Sequence, residues 1–181
     1  MQIAKQLKDK NIAEYLIYMW QIEDLIRANN CDIDQLERNI ISAYQVSDEE
    51  RSTLRQWYAD LVNMMREEGV QEKGHLQINR NVIINLTELH NTLLNSPQFP
   101  FYNGAYFKAL PFIVELRAKG EKKEEPELET CFEALYGVML LRLQKKTVST
   151  GTAKAIESIT NLLSMLANYY DKDKKGELKL D

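Results

Sequence analysis

Glycine and proline are scarce in this chain, 7 and 4 among 181 residues, which leaves few turn positions for hairpins and favours helices over strands. Cysteine is scarcer still. Cys31 and Cys131 stand alone without CxxC spacing, so neither a disulfide framework nor a zinc site is expected, and both read as reduced thiols in or near the core. A di-iron bundle needs two Glu-x-x-His pairs, and the two histidines do not supply them. Glu72 and His75 have that spacing but enclose Gly74 in a loop, and His90 has Thr87 where the glutamate would stand. His90 instead shares a helical register with Ile83 and Leu86 and reads as a partly buried imidazole with one satisfied hydrogen bond. No metal and no cofactor is expected.

The same economy applies to motifs and charge. GxSxG, GxGxxG and GxxxxGK[ST] are all missing, so no catalytic residue can be named for acyl transfer or phosphate chemistry. Twenty-three basic residues face 27 acidic ones for a net charge of −4, which provides no positive field for nucleic acid. A basic stripe would have to be assembled from Lys119, Lys122, Lys123, Lys145 and Lys146. No uncharged run reaches the roughly 20 residues of a membrane span, since Glu14 and Arg142 interrupt the most apolar segments. MQIAKQLKDK lacks the apolar core and cleavage site of a secretory signal, so a cytoplasmic setting is expected.

What is present is a soluble globular composition, 44% hydrophobic and 28% charged, suited to one domain. Helical spacing recurs along the whole chain. Asn11 with Glu14 opens a first helix to about Asn29, Ile33 begins a second, and the Ser47–Glu50 capping box opens a third that Gly69 stops. A fourth runs from about Asn79 to before Pro97, and a fifth crosses Pro111, where a kink is expected, to about Lys119. KGEKKEE is a charged linker, Pro126 opens a sixth helix, and Ile156 to Tyr170 mark a seventh. The pattern predicts an all-α, single-domain bundle of about seven helices over residues 1–170, with the first helix central and a flexible charged tail over 171–181. In that tail Asp171, Asp173 and Gly176 resemble a calcium loop, but Lys175 stands where the loop needs an oxygen ligand, so no calcium site is expected.

Two constellations stand out. In the first helix Trp20, Glu23, Asp24 and Arg27 set charges into an otherwise apolar surface, and charges in such a setting need partners. Arg142 follows Leu128, Leu135 and Val138 along one stripe and is expected to turn inward and pair with Glu23 or Asp24. The alternative is the floor of a ligand pocket. The second constellation is SPQFPFYNGAYFKALPFIVEL, with three of the four prolines and four of the five phenylalanines, where Tyr102, Tyr106, Phe107 and Phe112 could line a pocket beside Pro111 or pack as core.

The stretch IAKQLKDKNIAEYLIYMWQIEDLIRAN resembles an uncharacterised family of bacterial, all-helical domains of unknown function, most clearly over residues 3–30 and onward to about residue 170. The resemblance implies an all-helical fold in a bacterial cytoplasm and supplies no activity, cofactor or site residue. The function expected is a non-enzymatic interaction or regulatory module that binds a protein, or a second copy of itself, through a helical surface or groove. The competing class is a small-molecule-binding protein or enzyme with its pocket at the Pro111 kink or the Glu23/Asp24/Arg27 cluster.

Overall fold

Several helices begin where a polar side chain satisfies amides that the helix itself leaves orphaned. In the computed structural model, which describes residues 1–119 and 126–179, Asn11 Oδ1 accepts the Ala13 amide at 3.1 Å, ahead of α2 (Ile12–Ala28). Asp32 accepts from Asp34 and Gln35 at the start of α3 (Ile33–Asn39), and those amides hold its carboxyl below the usual range. Ser47 and Glu50 form a reciprocal capping box on α4 (Asp48–Glu67). Gly69, at φ 69°, takes the left-handed conformation just beyond that helix, as glycine does at low cost.

All regular structure among the described residues is helical. A short α1 (Gln2–Lys10) precedes α2, and a 3-10 turn (Ile41–Ala43) follows α3. Then come α5 (Gln77–Asn95), α6 (Pro100–Lys119), α7 (Glu127–Leu143) and α8 (Thr150–Lys174). The seven expected helices are all present, and α1 is an addition. Its segment buries Ala4 alone, so it carries too short an apolar stripe to stand out in the sequence. At the other end Ser149 accepts the Thr152 amide and starts α8 earlier than Ile156. The helix then continues through Asp171 to Lys174, with Lys175 bound to Asp171 at 2.6 Å. The expected linker 120–125 and the last two residues of the expected tail lie outside the described residues.

The contacts fall into two compact units, one of residues 1–9 and 14–81, the other of residues 10–13 and the remaining described residues. The core of the first contains Leu16, Met19, Trp20 and Ile26 of α2 with Leu36, Ile41, Tyr58, Met65 and Leu76, all nearly inaccessible to solvent. The turn after α2 places Asn30 and Cys31 at φ 56° and 51°, an uncommon conformation for non-glycine residues. Arg66 holds it by donating to the Cys31 carbonyl at 2.8 Å. In the second unit α6, α7 and α8 pack on one another around Tyr102, Ala109, Ile113, Phe132, Ile159, Leu162 and Leu166. α6 runs through Pro111 as one continuous helix.

Candidate functional site

The charges of α2 divide between two environments. Glu23 shares the buried side with Met19, Trp20 and Ile26 and is fully buried, whereas Asp24 is exposed and pairs with Arg27 at 2.9 Å. A buried carboxylate requires donors, and Glu23 has three. His75 Nδ1 lies 2.6 Å from Oε2, and Oε1 accepts the Leu76 amide at 2.9 Å and Asn79 Nδ2 at 2.7 Å. The Leu76 amide belongs to the N-terminal end of α5, where a negative charge is favoured. The His75 ring in turn stacks on Trp20 at 4.1 Å between centroids. Arg27 completes the assembly by donating to the carbonyls of Val70, at 3.2 Å, and Gly74.

A carboxylate that orients an imidazole is also a device of hydrolytic sites. Here the same carboxylate caps a helix, and the neighbouring arginine holds the carbonyls of the loop leading to it. The assembly therefore fastens residues 70–79 to α2. The Arg142 side chain is exposed near the end of α7, so the expected inward aim is corrected. α7 is apolar on most of its circumference, and the stripe that ends at Arg142 therefore does not mark the covered side. His75 and Asn79 were missed as partners because each lies more than 50 positions from Glu23, and neither has a local signal.

The second unit has its own polar core. His90 is buried, with Nδ1 at 2.6 Å from the Tyr102 hydroxyl and its ring edge-on to Tyr106. Tyr106 donates to Glu127 at 3.0 Å, and Arg117 stands 3.9 Å from the other oxygen of that carboxylate. Burial lowers the His90 pKa, with Glu127 pulling the other way. Burial also pushes Tyr106 and Cys131 up to about 12, and the Glu127 carboxylate adds to both shifts. A thiol held that high is no nucleophile near neutral pH.

The four aromatic candidates do not come together in one pocket. Tyr102 is core, Tyr106 is half-buried, and Phe107 faces solvent. Phe112 lines a groove of about 690 Å³ together with Leu116, Gly137, Leu141 and Ile156. A separate cavity of about 330 Å³ in the first unit is bordered by Tyr18, Tyr44 and Tyr58, with Glu49, Thr53, Met1 and Ile3 also lining it. Among the described residues no group of three or more His, Cys, Asp or Glu could hold a metal ion. No described helix is long and apolar enough to cross a membrane.

A family model described as a domain of unknown function, DUF4924, matches residues 1–177. No curated protein and no solved structure matches the chain.

Proposed function

We propose a non-enzymatic role for this chain, which belongs to the DUF4924 family of domains of unknown function: a protein-interaction module of the bacterial cytoplasm that binds through α6. The observation that carries this reading is the outward face of that helix. Phe101, Phe107 and Val114 are 84%, 63% and 56% exposed, and Gly104, Pro111 and Ala118 between them are exposed as well. Six apolar residues on one solvated face are what partner surfaces present and ordinary helix exteriors do not.

A pair of substitutions on that face tests the reading. Purified Phe107→Asp/Val114→Asp protein, matched to the parent by circular dichroism, is compared with it in capture from a native lysate, and the bound proteins are identified by mass spectrometry. Partners retained by the parent and lost by the variant support the role. Identical sets from both proteins refute it.

A second reading, small-molecule binding, is favoured by the Tyr18/Tyr44/Tyr58 cavity, whose size lies at the lower end for ligand sites. Thr53 is exposed at its lining, so Thr53→Trp should obstruct it without unfolding the protein. If a metabolite library stabilises the parent and this variant equally, the cavity is not a ligand site.

A further inference from the structure

The apolar face of α6 has a spacing that selects among possible partners. Gly104, Phe107, Pro111, Val114 and Ala118 follow one another at intervals of 3, 4, 3 and 4 residues, the a/d rhythm of a helix that pairs with another helix along a seam. Lys108 and Glu115, both exposed, each follow a d position by one residue and so lie on the same flank. In an antiparallel pair related by a two-fold axis, equivalent flanks of the two helices meet.

We propose that the occupant of this face is α6 of a second copy of the chain, docked antiparallel about a two-fold axis that passes between Pro111 and Val114. This inference rests on the interaction role proposed above and names its partner. The self-complementarity is specific. In this register Phe107 of one copy meets Ala118 of the other, a large residue against a small one, and Pro111 meets Val114. Lys108 of each copy then lies beside Glu115 of its mate, and because Glu115 also holds Lys119 of its own helix at 2.5 Å, each carboxylate at the edge of the seam stands between two ammonium groups. A parallel pairing would instead set Leu110, at the g position, beside Glu115, and would lose this match.

A 20-residue helix is about 30 Å long, so one such seam buries less than a standard interface and is expected to associate reversibly.

Sedimentation equilibrium of the full chain, from low micromolar to a few hundred micromolar, provides the readout. A reversible dimer is expected. Lys108→Glu and Glu115→Lys should each weaken it about tenfold by opposing like charges, and the Lys108→Glu/Glu115→Lys double variant should restore it to within about threefold. Both positions are exposed, and the Glu115–Lys119 pair lost in Glu115→Lys is a surface one that contributes little to stability, so folding is preserved.

A parent that stays monomeric throughout, or a dimer indifferent to both single substitutions, overturns the proposal. So does a double variant no tighter than the singles. A photo-crosslinking residue at Phe107, introduced in the native host, separates this failure from failure of the interaction role. Crosslinking to a different protein would remove the second copy and keep the role, and crosslinking to nothing in a monomeric protein would remove both.

Discussion

Glu23 accepts the backbone amide of Leu76 at 2.9 Å across 53 positions of sequence, so one buried carboxylate caps a helix that begins far along the chain. His75 and Asn79 donate to the same carboxylate. Removing it leaves three donors without their acceptor, and Glu23→Ala should cost about 3 kcal/mol in urea denaturation. The neighbouring Asp24→Ala should stay within about 0.5 kcal/mol, since Asp24 itself lies at the surface. Similar losses for the two variants would mean that the buried position of Glu23 has no energetic weight.

The contrast between Glu23 and Asp24 also marks how far local pattern carries. The run of apolar residues around Trp20 is enough to expect a buried helix, and the Ser47 and Glu50 capping box lies wholly within four residues, so both are legible in sequence. The partners of Glu23 are not, because a carboxylate accepts from any donor that the tertiary fold delivers, and His75 reads locally only as a loop residue after Gly74. Arg142 and Phe107 show a second limit. Where a helix is apolar on most sides, as α6 and α7 are, periodicity cannot tell the covered face from the bare one. The exposed seam of α6 therefore emerges only once α7 and α8 are seen packed against its other side.

His90 makes stability depend on pH. Its folded-state pKa lies below the ordinary value of 6.5, first because of burial, so on acidification the unfolded chain takes up this proton before the folded one. The stabilisation is fully present above the unfolded pKa and declines as pH falls from there through the folded pKa, with a slope of at most about 1.4 kcal/mol per pH unit. His90→Gln should be less stable at pH 7.5, because the bond to Tyr102 is altered, and should lack this component of the slope. Denaturation midpoints at pH 7.5, 6.5 and 5.5 for both proteins isolate it. Parallel curves would show that His90 does not titrate on unfolding.

Both cysteines are free and buried, and burial raises the pKa of each, that of Cys131 to about 12. At pH 8 the thiolate fraction of Cys131 is then about one in ten thousand. A chromogenic disulfide reagent should leave the native protein unlabelled over minutes and should titrate both thiols in denaturant. Cys31 should react first on partial unfolding, since Arg27 and Arg66 favour its thiolate. Prompt reaction of Cys131 in the native state would contradict its placement in the core.

Gly104 and Gly69 should respond to alanine in opposite directions. Gly104 lies inside α6 with open space where a Cβ would go, so Gly104→Ala should gain about 0.5–1 kcal/mol from backbone entropy in the monomer, or about 1–4 °C in Tm for a protein of this size. Gly69 also has open space, but its φ of 69° is one that L residues rarely adopt, so Gly69→Ala should lose about 1 kcal/mol or more. Thermal melts at low micromolar concentration keep association from contributing. Because the two sites are equally uncrowded, the difference in sign isolates backbone conformation. If Gly104→Ala were destabilising even in the monomer, the face it occupies would already be in contact with something in the isolated chain, and the seam of α6 would not be bare.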